Sequence, residues 1–162
     1  MTQLDTEATR WQGVHQVNVG QTYVREEIAA PADTVWQLIR DFADISAWTP
    51  SPVVRTEGAG IGMIRHIDSR AGYVRERCEA LNDAMMTFTY RLLESPWPFE
   101  NVVTVKLTKA SPDTTTIEWS STFETESEDV DSTRARIETT FRDRFIARLR
   151  ESVARKLQED LG

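Results

Sequence analysis

The spacing of apolar and polar positions changes twice along the chain. From Val14 to Ile28 the segment VHQVNVGQTYVREEI is rich in Val, Thr and Tyr, and most of it reads as a strand. It ends at Ala29-Ala30-Pro31-Ala32-Asp33, where Pro31 suits a first helical turn and Asp33 complements that turn's partial positive charge. Val35, Trp36, Leu38, Ile39 and Phe42 follow helical spacing, which predicts a short amphipathic helix to about Phe42. A second short helical turn is expected over Asp44 to Trp48, before Pro50 and Pro52 stop it. Segments 53–57, 61–69, 73–81, 84–94, 101–109 and 114–125 are then each strand-length. The breaks between them carry turn chemistry, including Gly58-Ala59-Gly60, Asn82-Asp83 and Ser111-Pro112-Asp113. Connections this short join antiparallel neighbours.

The last segment returns to a helical pattern. Ile137, Phe141, Phe145, Leu149, Val153, Leu157 and Leu161 recur every fourth residue, predicting one helix from about Asp131 to the end. Such a stripe drifts by about 40° per step around a straight α-helix, so it follows a curved partner better than a flat one. The other faces alternate Arg and Glu and read as solvated. The expected fold is α+β: a seven-stranded antiparallel sheet wrapped around a long C-terminal helix, with two short helices between strands 1 and 2. A twisted sheet closed by one helix leaves a gap between them, the usual place for a small apolar ligand. Residues 1–13 show no period and are expected to be a flexible arm, with 14–162 forming one domain.

Composition narrows the function. A net charge of −7 disfavours nucleic acid as partner, because phosphate recognition needs Lys and Arg in excess. One Cys forms no internal disulfide. No stretch approaches the roughly 20 apolar residues that cross a bilayer. These features predict a cytoplasmic protein without integral membrane association, either monomeric or homodimeric.

Several motifs occur in a recognisable order: Ala30-Pro31-Ala32-x-x-Val35-Trp36, Trp48-x-Pro50, Gly60-x-Gly62-x-x-Arg65, Val74-x-Glu76, Asp83, Tyr90, Pro96-x-Pro98 and Trp119-x-x-x-Phe123. Their order and spacing resemble the START-like (SRPBCC) superfamily, the helix-grip proteins. The pattern is most similar to the bacterial polyketide cyclase/dehydrase-like group, over about residues 14–161. The resemblance implies a hydrophobic cavity between sheet and helix, in which an inward Glu and Arg help hold a polar ligand group. It implies no single reaction, because its members include cyclases, aromatases, carriers, receptors and co-chaperones.

Strand alternation identifies the inward charges independently. In 73–81 one face holds Val74, Glu76, Cys78 and Ala80, and in 61–69 the face with Ile61, Met63 and Ile67 also holds Arg65. A turn at Arg70-Ala71 sets Arg65 directly opposite Glu76, close enough to pair. Tyr90, on a face with Met86, Phe88 and Leu92, is expected beside Glu76. An Arg, a carboxylate and a phenol on an apolar wall can orient a carbonyl or hydroxyl, or polarise a ketone for enolisation. Arg65, Glu76 and Tyr90 are therefore the candidate ligand-binding residues, and the catalytic ones if the protein is an enzyme. Leu92, Trp119, Phe123, Phe141 and Phe145 are candidate cavity lining. Trp97 and Phe99, in the Pro-stiffened loop 95–99, resemble a lid.

Sharper motifs are missing. Met63 replaces the third glycine of a dinucleotide fingerprint. His15 and His66 have no metal-ligand spacing, and His66 is expected to face solvent. Cys78 beside Glu76 is a poor nucleophile. No metal or other cofactor is expected. Three readings stand: a binding module for a small aromatic, polyketide-like or lipid-like molecule, a cyclase/aromatase-like enzyme catalysing aldol closure and dehydration, or a chaperone-activator-like interaction protein. Inward charges favour the first two.

Overall fold

A computed structural model describes residues 16–162, so the arm expected over residues 1–13 lies outside the described residues. The elements are β1 (Asn18–Ile28), α1 (Ala32–Ile39), β2 (Val53–Glu57), β3 (Ile64–Ser69), β4 (Gly72–Asn82), β5 (Thr87–Glu94), β6 (Phe99–Ser111) and β7 (Thr114–Thr125). The chain ends in a continuous helix made of α2 (Val130–Thr139), a π-helical segment (Thr140–Ile146) and α3 (Ala147–Leu161). All seven strands form one sheet in the order β1-β7-β6-β5-β4-β3-β2. This is the helix-grip α+β fold, with the sheet's apolar face turned to the helix.

Three local features depart from the expected pattern. The second short helix is only a hydrogen-bonded turn, in which Ile45 O accepts from Trp48 N and Thr49 N. β3 begins at Ile64 rather than at residue 61, because Gly58, Gly60 and Gly62 all take positive φ (76°, 64° and 92°) and keep the preceding segment as a loop. Ile61 is consequently exposed instead of inward. On β4 a register shift between Cys78 and Ala80 reverses the later alternation, leaving Ala80 exposed and Leu81 packed on the core.

The π-helical segment accounts for the strict four-residue repeat. An α-helix advances a residue four positions on by more than a full turn, whereas i→i+5 bonding widens the turn beyond four residues. Over Thr140–Ile146 the drift is therefore reversed, and Phe141 and Phe145 both stay on the sheet side, with ring centroids 6.1 Å apart. After it, burial follows ordinary α spacing through Ile146, Leu149 and Val153. Leu161, the last residue of the repeat, is 89% exposed and packs on nothing.

The two sheet edges are treated differently. Side chains of the C-terminal helix occupy the free backbone groups of β1: Arg134 Nε donates to Gln21 O (2.8 Å), Tyr23 N donates to Glu138 Oε2 (2.9 Å), and Arg150 Nη2 donates to Glu27 O (2.9 Å). They stand where a further strand would otherwise pair. β2 is short and has a register shift at Val53/Arg55. The helix start is capped by Asp129, whose carboxylate accepts from Ser132 N (2.9 Å).

α1 buries Ala32, Val35, Trp36 and Ile39, the i, i+3, i+4, i+7 set of one helical face. Asp83, in the β4–β5 turn, ties it down by accepting from Trp36 Nε1 (2.8 Å) and from Arg40 Nε (2.8 Å) and Nη2 (3.0 Å). The Arg40 hydrogen bonds, followed by that of Trp36, push the carboxyl down to about 2. A carboxyl depressed on folding stabilises the fold above its ordinary value near 4. That contribution is lost as pH falls through about 2.

Two outcomes follow from this architecture. Urea unfolding of Asp83→Asn should show a deficit relative to the parent protein at neutral pH, and the deficit should narrow between about pH 4 and pH 2. Phe123 lies flat on Gly20, where a Cβ would meet its Cζ at 2.2 Å. Gly20→Ala should therefore lose about 1–3 kcal/mol in urea unfolding. The pair Gly20→Ala/Phe123→Leu should lose less than the sum of its two changes.

Candidate functional site in the sheet–helix interior

β3 and β4 form a hairpin closed at Ser69 and Gly72, where Ser69 Oγ donates to Gly72 O (2.6 Å) and Gly72 N donates to Ser69 Oγ (3.2 Å). The register is the one parity predicts: Ile67 opposite Val74 and Arg65 opposite Glu76. Both charged side chains point inward, Arg65 at 1% exposure and Glu76 at 8%. Arg65 Nε donates to Glu76 Oε1 (2.9 Å) and Nη1 donates to Phe42 O (3.2 Å). Nη2 lies 2.8 Å from the same Glu76 oxygen without a well-aligned hydrogen bond to it. The guanidinium carbon sits 3.9 Å from the centre of the Phe42 ring, 4.9 Å from that of Tyr90 and 5.5 Å from that of Trp48. Cation–π attraction adds to the ion pair in offsetting the desolvation of both charges.

Tyr90 joins the cluster one cross-strand pair along from Glu76. Its register partner is Cys78, and Leu92 stands opposite Glu76, because β4 and β5 shift register between Cys78 and Ala80. Burial, with the nearby Glu76 charge, pushes the Tyr90 phenol well above its ordinary value against a smaller opposing effect of Arg65. At neutral pH this group keeps its proton. Burial likewise pushes the Cys78 thiol up, which suits an inert core cysteine.

The gap expected between sheet and helix is filled by rings at this point. Trp48 packs on Phe145 (4.8 Å between centroids), Trp119 (5.2 Å) and Tyr90 (6.4 Å), and Trp119 packs on Phe145 (5.4 Å) and Phe141 (5.9 Å). Two recesses lie elsewhere. One of about 450 Å³ is lined by Tyr23, Val102, Thr104, Ser120, Thr122 and Glu138. One of about 210 Å³ lies between α1 and α3, against Leu38, Ala47, Ser152 and Arg155. Neither is lined by Arg65 or Glu76. Trp48 and Phe42, supplied by the segment between α1 and β2, complete an aromatic plug around the ion pair.

The structure therefore brings together Arg65, Glu76, Tyr90, Trp119, Phe141 and Phe145. Phe123 is buried over Gly20, further along β7. Leu92, Trp97 and Phe99 are half-buried. Trp97 stacks on Phe99 (6.3 Å), and Arg136 of α2 lies 6.0 Å from the Phe99 ring, so the 95–99 loop touches the helix. Phe42 and Trp48 are additional site residues; the only sequence signal for Trp48 was its place before Pro50.

His66 also departs from expectation. It lies on the outer sheet face but is only 3% exposed, covered by residues of β2 and β4. Its Nε2 is 2.6 Å from Glu57 Oε2 and 3.2 Å from Arg55 Nη2, and its Nδ1 is hydrogen-bonded to Tyr73 Oη. Nε2 can donate to Glu57 or accept from Arg55, not both. The bond to His66 holds the Glu57 carboxyl below its ordinary value.

The sequence profile of the family described as polyketide cyclase / dehydrase and lipid transport matches residues 20–161. No curated protein sequence matches the chain. An uncharacterised protein from Bacillus thuringiensis has a similar structure, with a TM-score of 0.73 and 24% identity over 83% of this chain and 99% of that one. The protein XoxI from Bacillus cereus superposes with a TM-score of 0.72 at 23% identity, over 83% of this chain and 96% of its own. Norcoclaurine synthase from Thalictrum flavum, in complex with dopamine and hydroxybenzaldehyde, has a TM-score of 0.62 at 15% identity, over 88% of each chain. These structural likenesses establish the shared fold.

The ion pair gives a stability test. Arg65→Met leaves the Glu76 carboxyl buried and unpaired, and should lose about 3–5 kcal/mol in chemical unfolding. Arg65→Met/Glu76→Leu removes both charges and should recover most of that loss.

Proposed function

Because the chain belongs to the polyketide cyclase / dehydrase and lipid transport family, we propose that it binds a small hydrophobic molecule, aromatic or polyketide-like, between the sheet and the C-terminal helix. The molecule's polar end meets Arg65, Glu76 and Tyr90. The observation that carries this reading is the ion pair itself, enclosed by Phe42, Trp48 and Tyr90. Removing charge from water costs several kcal/mol per ion, and a docking role on the outer surface has no use for it there. Norcoclaurine synthase, which shares the fold, is known in complex with two small aromatic molecules.

Entry requires the aromatic plug to part. Phe141 and Phe145 stand on the π-helical segment, a geometry that is rare and common at functional sites. A flat ligand replaces the rings' contacts with its own, so apolar burial is exchanged rather than lost. The 95–99 loop, with Trp97 and Phe99, covers the way in.

A second reading, cyclase/aromatase-like catalysis, is favoured by the pairing of a protonated phenol with a carboxylate and a guanidinium. Here Arg65 stabilises an enolate oxygen, Glu76 accepts the carbon-bound proton, and Tyr90 donates a proton to the departing oxygen. An Arg65-dependent change in the product ratio of a reactive poly-ketone mimic would establish it.

Binding is tested by native mass spectrometry of gently purified protein and by tryptophan quenching with two- and three-ring aromatic probes. A retained molecule, or saturable quenching, is expected. Absence of both would overturn the reading. Glu76→Gln should weaken the binding of a polar-headed probe by about tenfold, since Arg65 loses the charge-assisted contact that holds it in place.

A further inference from the structure

Three buried donors in the aromatic cluster lack a well-formed hydrogen bond in the protein: Trp48 Nε1, Trp119 Nε1 and Arg65 Nη2, the last met only by the Glu76 oxygen 2.8 Å away. Each belongs to a side chain at least nine-tenths buried. They are neighbours: the Trp48 ring is 5.2 Å from that of Trp119 and 5.5 Å from the Arg65 guanidinium carbon. The Trp119 N–H is directed at the Tyr90 phenol oxygen, a weak contact that falls short of full hydrogen-bond geometry. A buried donor without a full hydrogen bond is costly, and three in one cluster are a standing demand for an acceptor.

The charges select which acceptor. Arg65 and Glu76 already cancel, so an anionic head would leave a net buried negative charge and an ammonium head a net positive one. An ammonium also brings more donors to a place that lacks acceptors. A carbonyl oxygen has two lone pairs and no charge, and can accept from two of the three N–H groups at once. The surrounding rings of Phe42, Tyr90 and Phe145 suit a flat aromatic skeleton.

We propose that Trp48 and Trp119, together with Arg65, form a carbonyl-reading site that selects an uncharged aryl ketone or quinone. This rests on the interior-binding reading above, and adds to it the chemical class of the head group and the two indoles as its specificity determinants.

Four tricyclic probes of nearly one shape separate the possibilities: fluorenone, fluorene, fluorene-9-carboxylate and 9-aminofluorene in its protonated form. Fluorenone should bind at least about tenfold tighter than fluorene, and both charged probes should bind more weakly than fluorenone. In ¹H–¹⁵N spectra of the intact protein, fluorenone and not fluorene should move the indole N–H signals of Trp48 and Trp119 downfield. Trp48→Phe keeps a ring but loses the N–H, and should reduce the ketone preference, read as the ratio of fluorenone to fluorene affinity within the variant, to a few-fold. The spectra of the parent protein give the answer even if that variant folds poorly. Equal binding of fluorenone and fluorene, or a preference for the carboxylate or the amine, would overturn the carbonyl assignment and leave interior binding standing. Failure of all four probes to bind would overturn both.

Discussion

A guanidinium held away from water is a constraint that everything around it must satisfy. Arg65 contacts parts of the chain distant in sequence: Glu76 across the β3–β4 hairpin, the carbonyl of Phe42 after α1, and the rings of Phe42, Trp48 and Tyr90. Its charge therefore fixes the segment between α1 and β2 against the sheet, a placement that apolar contact alone would leave loosely defined. Exchanging such a pair for apolar residues is often neutral or favourable, so its presence adds orientation more than stability. A polar ligand group placed here would meet donors already aimed, with little reorganisation to perform.

The aromatic cluster and the π-helical segment belong to one packing solution. A continuous α-helix would rotate Phe145 away from the sheet relative to Phe141. Widening the turn over Thr140–Ile146 keeps both against Trp119, where they close the space a curved sheet leaves beside a straight rod. Trp48 and Trp119 pack edge-on or tilted on each other and on the two Phe rings, at centroid distances of 4.8–5.9 Å. Ring contacts of this kind can be traded for contacts with a flat guest at small net change in buried area. The unmet indole donors within the same cluster indicate that its closed form leaves hydrogen-bonding capacity unused.

The sheet's two faces perform different physical tasks. Inside, charge is scarce and paired. Outside, Arg77, Glu79 and Arg91 pair across β4 and β5, and His66 is wedged among Arg55, Glu57 and Tyr73 near the β2 edge. His66 and Arg65 are consecutive residues sent to opposite faces by strand alternation, so the outer network braces the strand that carries the inner charge.

Much of this was legible from the residues alone. Element order, antiparallel pairing and the β3–β4 register depend on local quantities: apolar period, Gly and Pro placement, and the length of a two-residue turn. These place Arg65 opposite Glu76 whatever the rest of the chain does. The position of Tyr90 and the reversal at Ala80 and Leu81 depend on a register shift, which inserts a residue without any distinctive sequence mark, and the burial of His66 depends on side chains that two other strands bring to it. The filling of the interior was decided later still, by where a non-repetitive segment brought Phe42 and Trp48 and by a helix that widened its turn. Alternation and turn chemistry act over a few residues and can be read along a line. Whether a space between two layers is empty or occupied depends on side chains that meet only once the chain has closed on itself.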